Sequence, residues 1–435
     1  MRSVLRNLFL CTGLPDGFIP DGALVLEGSR IAWVGPVAAM PEQPEGTAER
    51  DLGGRVVIPG LINTHAHGGM SLHRGCCDEG DLFQWAAALA PTTAHLTLED
   101  NRWGSAIAVA EMLRNGVTTV CDCTRFGAGI FGEVASGMGM RSLSGALANS
   151  PSLRSAGRPN WPLALEETLE AMRAQSGNGL CRHYLGAHSP YNCTPELLRE
   201  VKDAAERHGL PFVIHLAENR RETEMIIERH GTTPLRHLHR LGLLDRNSIL
   251  AHCVWLDEEE LDLLAASGAG VAHNPISNAK LASGIAPVKA MRARRVPVGL
   301  GTDGMLSNNA QDIFAEMKFG VLLARATSLD GYALTAADAF AMATIEGARV
   351  LGWDDEIGSL EAGKQADLVV LDLDHPLGLT PHRVLSDLVF RAGPQHVREV
   401  LVAGETVFVD GRLLRVDEAA LRARISRLYC EALPA

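Results

Sequence analysis

Between Val56 and Asp303 the chain alternates short β-branched runs with longer helix-like stretches, and no other feature restricts its fold so tightly. The runs are Val56–Asn63, Val117–Cys121, Arg141–Leu147, Cys181–Ala187, Pro211–His215, Ser248–His252, Gly270–His273 and Val298–Asp303. Their spacing, about 31 residues, is the size of one βα unit. The stretches between them read as amphipathic helices. Leu98–Arg114 stops at Asn115-Gly116, Pro195–His208 stops at Gly209, and Asp257–Ala266 opens on Asp257 with Glu260 three residues on. Eight such repeats predict an α/β fold, a (β/α)8 TIM-like barrel, with an open doubly wound sheet as the alternative.

The two ends of the chain read differently. Ala23–Glu27, Ile31–Val34 and Arg55–Val57 near the N-terminus, and Asp367–Leu371, Val397–Val402 and Thr406–Val409 near the C-terminus, are short strand-like pieces between Gly, Pro and Asp turns. Each set is thin for a stable β domain. Together they predict one small β-sandwich domain built from 1–58 and 356–435, carrying a last helix at Glu418–Tyr429, with the barrel at 59–355 inserted between. A net charge of −12 excludes a basic surface for nucleic acid. No apolar run approaches the roughly 18 residues of a membrane span, and Arg6 and Asn7 break the N-terminal apolar stretch, which argues against a signal peptide. Nine cysteines, an odd number without framework spacing, point to the reducing cytoplasm.

Chemistry concentrates at the ends of the predicted strands. His-x-His occurs twice. His65 and His67 follow a strand, where positions i and i+2 project from one face and can grip one ion. His237 and His239 lie in a helical stretch, where i and i+2 point about 200° apart, and are read as a surface pair. His215, His252, His273 and Asp303 each end a further predicted strand. In a barrel all C-terminal strand ends meet at one mouth, so His65, His67, His215 and Asp303 would converge into a site with three nitrogens, one oxygen and an open position. Such a set suits one divalent metal ion, Zn or alternatively Fe. Taken singly, each of these residues could equally be a satisfied core histidine or a helix-capping carboxylate.

The stretch 57–75, which contains His65-Ala66-His67, resembles the first-strand signature of the amidohydrolase superfamily. It is most similar to the branch holding methylthioadenosine/S-adenosylhomocysteine deaminases and triazine hydrolases. Gly186-Ala187-His188-Ser189-Pro190-Tyr191, His215-Leu216-Ala217-Glu218, His252-Cys253, the loop 273–287 and the segment 301–309 continue the match in order. The resemblance is dense over residues 56–320 and looser at both ends.

The resemblance implies a metal-dependent aminohydrolase that replaces an exocyclic amino group on a nitrogen heterocycle and releases ammonia. A metal held by His65, His67, His215 and Asp303 would lower the pKa of its water. Asp303 would take that water's proton, His252 would orient the nucleophile, and Glu218 would protonate the ring and serve the leaving group. Without the resemblance, Glu218 reads equally well as a carboxylate at a helix start. Binuclear relatives usually bridge their ions with a carboxylated lysine at the end of strand four. This chain has 35 Arg but only 5 Lys, none between Thr124 and Val201, which favours a single metal.

His188 matches a substrate-contacting histidine of adenosine-type deaminases, and Trp85 aligns with an aromatic that stacks on the purine, although its helix could simply bury it. Lys280 and Asn278 could serve substrate or loop structure, and Cys121 and Cys123 read as barrel packing. Adenosine-type relatives hold the ribose hydroxyls with a Glu shortly after the aligned Trp, whereas here no carboxylate follows Trp85 until Glu99. Their strand-three Arg is also missing from Leu143–Leu147. These departures suggest a substrate without a ribosyl tail, or one gripped differently by the stretch 148–162 with Arg154, Arg158 and Trp161. Purine- or nucleoside-like rings come first, and pterin or triazine rings second. The alternatives are displacement of chloride or an alkylamine, cyclic amide hydrolysis, and, remotely, a non-catalytic scaffold. By resemblance the protein is a homo-oligomer whose partner is a small heterocyclic substrate, with neither nucleic acid nor membrane.

Overall fold

Pro59 and Gly60 divide the run that the sequence presents as one strand. Ala48–Pro59 belongs to a sheet made from the chain's two ends, and Leu61–Ala66 opens the barrel. A Cβ on Gly60 would lie 2.0 Å from Thr118 Oγ1, so only glycine lets the chain pass that close to the second barrel strand. The computed structural model describes residues 2–15, 17–93, 96–124, 126–150, 161–373 and 378–432.

Eight parallel strands form the barrel: Leu61–Ala66, Val117–Thr124, Arg141–Ala148, Cys181–Ala187, Phe212–Leu216, Ser248–His252, Gly270–His273 and Val298–Leu300. Each pairs with the next in chain order, with helices interleaved. The last strand ends three residues earlier than its sequence run. It meets the first through an Ala66–Asp303 bridge and the Thr64 hydroxyl, which donates to Leu300 O at 2.9 Å. The doubly wound alternative is excluded, because its first and last strands would lie apart.

Local sequence sets the helices. Leu98–Arg114 and Glu258–Ser267 both start on capping boxes, Thr97 with Asp100 and Asp257 with Glu260. In the helix Pro234–Arg240 the two histidines do point apart, but one of the two directions is inward. His237 is buried and stacks on His230 at 4.2 Å, while His239 is exposed, which corrects the reading of both as surface.

The terminal sheet is one eight-stranded, mostly antiparallel sheet. Its spatial order is Arg412–Leu413, Glu405–Val409, Val397–Val402, Leu368–Leu371, Ala48–Pro59, Arg2–Cys11, Phe18–Glu27, Arg30–Pro36. Period-two alternation gives it two apolar faces. Val56, Ile58, Val369 and Leu371 join the barrel's core, whereas Val57, Leu368 and Val370 join a separate cluster with Leu8, Leu24 and Ile31. Ile31 N donates to Lys364 O at 2.8 Å and Gly363 N to Ile31 O at 2.7 Å, so the edge strand curls back around that cluster.

Candidate functional site

The C-terminal ends of the first, fifth and eighth barrel strands bring His65, His67, His215 and Asp303 together. The His65 ring lies 4.9 Å from those of His67 and His215, nearly perpendicular to both, and His67 and His215 stack at 5.3 Å. Asp303 Oδ1 is 3.3 Å from Nε2 of both His65 and His67, and His67 Nε2 is 3.2 Å from His215 Nε2. Donors held tetrahedrally at about 2.0–2.1 Å from an ion sit about 3.3 Å from one another. His65, His67 and Asp303 therefore form a group whose donor atoms lie close enough to share a divalent cation, and His215 joins His65 in a second such group. His65 Nε2 is buried with no hydrogen-bond partner among the described residues, as an atom reserved for a metal would be.

The other side of each donor is occupied. His67 Nδ1 lies 2.5 Å from Cys123 O, and His215 Nδ1 lies 2.6 Å from His188 O. Both imidazoles therefore carry their proton on Nδ1 and present Nε2 to the centre. Asp303 Oδ2 accepts from the hydroxyls of Ser277 at 2.6 Å and Ser307 at 2.8 Å, which leaves Oδ1 turned inward. Burial favours neutral imidazoles and sends His65 down to about 4 and His215 well below its ordinary value. Burial alone would raise Asp303, but the neighbouring rings of His65 and then His67 hold it well below the usual carboxylate range.

His252 sits against this cluster, its ring 5.4 Å from His65 and 5.6 Å from His215. With those two it makes a second set of three nitrogens able to share an ion. Its Nδ1 is 2.8 Å from Asn278 Oδ1, and its Nε2 is 3.7 Å from Glu218 Oε2. Glu218 does not lie in a helical first turn. It precedes Asn219, which caps the helix Arg220–His230, and its carboxyl is buried. Burial and then the charge of Asp303 push it up to about 8. Behind it the carboxyl of Glu222 accepts from the backbone N–H of Ala217 at 3.2 Å and of Glu218 at 2.8 Å. Ala217, His252, Cys253 and Asp303 all have positive φ. For non-glycine residues that conformation is costly, and here it is gathered at the strand ends that carry the site.

His188 adjoins the cluster, its ring 4.9 Å from His215. Rings continue outward from it to Tyr191 at 5.9 Å and then Phe83 at 5.5 Å, with Arg221 stacked over Phe83 at 4.8 Å. Trp85 lies outside the donor cluster, in the helix Leu82–Thr93, and its indole N–H donates to Leu306 O at 3.2 Å. Lys280 reaches that carbonyl at 3.3 Å and also binds Asp78 at 2.6 Å and Asn309 at 2.7 Å, so it ties three mouth loops together. His273 belongs to neither donor set, and burial drives it down to about 3. Arg154 and Arg158 lie outside the described residues.

Several residues of this site escaped the sequence reading. Ser277 and Ser307 sit inside the quoted motifs, but serine carries no signal of its own. Glu222 shows only as an i, i+4 partner of Glu218. Asn278 was left between two roles, and the structure adds a contact at 2.8 Å to His252 Nδ1.

Residues 56–407 match the Amidohydrolase family. A 5-methylthioadenosine/S-adenosylhomocysteine deaminase of Syntrophobacter fumaroxidans is 40% identical over 435 residues, covering 98% of each chain. A 5'-deoxyadenosine deaminase of Methanopyrus kandleri is 38% identical over 408 residues, 93% of each chain. The crystal structure of an adenosine deaminase from Xanthomonas campestris with bound zinc superposes with a TM-score of 0.91 at 33% identity, over 99% of this chain and 98% of that one. The match runs unbroken through the barrel and into the C-terminal strands of the outer sheet, and the chain belongs to the amidohydrolase family.

Proposed function

We propose that this protein is a zinc-dependent aminohydrolase that replaces the exocyclic amino group of an adenosine-type ring with oxygen and releases ammonia. The observation that carries this reading is the buried Glu218 carboxyl, 3.7 Å from His252, beside a donor set spaced for one metal ion. Three nitrogens and one carboxylate oxygen suit zinc. A bound ion would supply Lewis acidity and a water activated for attack near neutral pH.

The chain's own residues divide the proton work. Glu218, whose acid form is favoured by burial, gives its proton to the ring nitrogen next to the amino-bearing carbon. His252 Nδ1 lies 2.8 Å from Asn278 Oδ1 and 3.3 Å from Asn274 Nδ2; with its proton on Nδ1, its Nε2 lone pair faces the reacting side and aligns the attacking water. Asp303, steadied by Ser277 and Ser307, accepts that water's proton and passes it to the departing amine. The C–N bond then breaks, and its electron pair leaves with ammonia. As the carbonyl forms, the proton left on the added oxygen returns to the Glu218 carboxylate, so the acid is restored, the ring keeps the oxygen and its new N–H, and the amine leaves as ammonia.

The relatives, whose names specify 5'-modified adenosines and which match this chain nearly end to end, support that substrate class. His188, Tyr191 and Phe83 give the mouth an aromatic wall suited to a purine with an apolar extension. A ribose would be gripped without the Glu and Arg that adenosine-type relatives use. We place the enzyme in the cytoplasm, where its described thiols stay reduced, as a homo-oligomer.

Ammonia release from the zinc-loaded protein tests the reading. The panel runs from S-adenosylhomocysteine, methylthioadenosine and 5'-deoxyadenosine through free purines and pterins to aminotriazines and their chlorinated forms. Turnover of the adenosines is the expected result. Chloride release, or hydrolysis of a cyclic amide without ammonia, would replace the proposal with that chemistry.

A further inference from the structure

Cys121 and Cys123 point to the same interior face of the second barrel strand, among Ile62, Leu143, Leu147 and Tyr184. One property separates them. Cys123 Sγ lies 3.3 Å from Nδ1 of His65, and the carbonyl of the same residue lies 2.5 Å from Nδ1 of His67. The register explains the placement: Asp122 pairs with Ala66, so residue 123 stands level with the whole His65-Ala66-His67 segment.

An imidazole that offers Nε2 to an ion carries its proton on Nδ1, and when buried that N–H needs an acceptor. His67 and His215 give theirs to backbone carbonyls, an arrangement indifferent to which side chain stands there. His65 is almost fully buried, and its Nδ1 faces a side-chain sulfur at 3.3 Å. We propose that Cys123 is a positioning residue for the metal site, its sulfur accepting the Nδ1–H of His65 and fixing that ring's tautomer and angle. The proposal rests on the reading of His65 as a metal ligand. One residue thus steers both imidazoles of the pair, through its sulfur on one side and its carbonyl on the other. Sulfur is a weak acceptor, so this ligand is held more loosely than a carboxylate or carbonyl would hold it.

The test is zinc affinity of the full-length protein, measured by competition with a chromophoric chelator. Cys123→Val removes the acceptor at similar volume and should weaken zinc binding about 10- to 100-fold, the usual effect of losing a ligand's outer partner. Cys123→Ser keeps an acceptor and should stay near the parent. Cys121→Val changes the same core layer without touching a ligand and should leave affinity unchanged. Where valine prevents folding, Cys123→Ala removes the sulfur without adding atoms and is compared with serine in the same way. Parental affinity in the Val or Ala variant, or equal weakening in the Ser or Cys121 variants, would overturn the proposal. His65→Ala separates the two levels. If it leaves affinity unchanged the ligand reading itself fails, whereas if it abolishes binding while Cys123→Val does not, only the role of Cys123 falls.

Discussion

The backbone N–H of Asp303 donates to the carbonyl of His65 at 2.9 Å, so one of the bonds that close the barrel also sets two of its proposed metal ligands face to face. Their side chains meet 3.3 Å apart, Oδ1 to Nε2. Closure of the fold and assembly of the site are therefore one event. Residues more than two hundred positions apart in the chain become neighbours only when the eighth strand docks on the first.

Removing one donor from this set should cost more than the roughly 10- to 100-fold in affinity expected for an outer partner. His67→Ala and Asp303→Asn should each lower the metal-to-protein ratio found by elemental analysis after dialysis, with far-ultraviolet circular dichroism unchanged. An undiminished ratio in both variants would dissolve the site as drawn.

Glu218 is assigned a task that needs its acid form. Burial pushes its pKa from 4.5 up to about 8, so the acid form is present below that value and vanishes as pH rises through it. A bound dication favours the carboxylate and moves the change to lower pH. The profile of kcat/KM should accordingly fall on its alkaline side with an apparent pKa between 4.5 and about 8. Glu218→Gln should retain metal, lose about 100- to 10,000-fold in turnover and lose this limb. Full turnover in the variant would remove Glu218 from the proton transfer.

Asn278 gives His252 its orientation through the 2.8 Å contact at Nδ1. Asn278→Ala frees the ring to turn or change tautomer and should lower kcat about 10- to 100-fold, with metal content and KM near parental values. Asn278→Asp keeps the acceptor and should recover most of the loss. If alanine and aspartate behave alike, the contact only packs the loop.

Much of this was legible because the chemistry sits where strand geometry puts it. His65 and His67 follow a strand at i and i+2, and His215, His252 and Asp303 end or follow others, so a barrel hypothesis alone brings them together. What stayed hidden depends on contacts between distant loops. The hydroxyl of Ser277 on Asp303 is of this kind, whereas Ser307 on Asp303 and Glu222 beneath Glu218 are four residues from their partners and were hidden because that spacing alone names no role. The strand Arg2–Cys11 was obscured by Arg6 and Asn7, where the structure has a bulge with Asn7 at φ 56°. The run Val56–Asn63 looked continuous because both of its strands are buried on both sides. His237 was misplaced because opposed directions on a helix were taken to be two outward ones.

The joint between barrel and outer sheet should be as sensitive as the site. Arg141, at the N-terminal end of the third strand, makes two bonds to Asp367, at 2.8 and 3.0 Å, and one to Gly179 O at 2.8 Å. Asp367 also accepts from Ala403 N at 2.7 Å, next to the sheet strand Leu368–Leu371. Both side chains are almost wholly buried. Asp367→Ala would strand a guanidinium in the interior at a cost of about 3–5 kcal/mol. The double variant Arg141→Met/Asp367→Leu removes both charges and should recover most of that, because the pair's mutual attraction largely repays its own desolvation. Denaturant unfolding of the three proteins reads the difference. The pair lies at the barrel end away from the mouth, so ammonia release at 25 °C should be near parental wherever the variants remain folded. A single variant within about 1 kcal/mol of the parent would show that water reaches the joint, and a double variant as unstable as the single would place the loss in packing rather than charge.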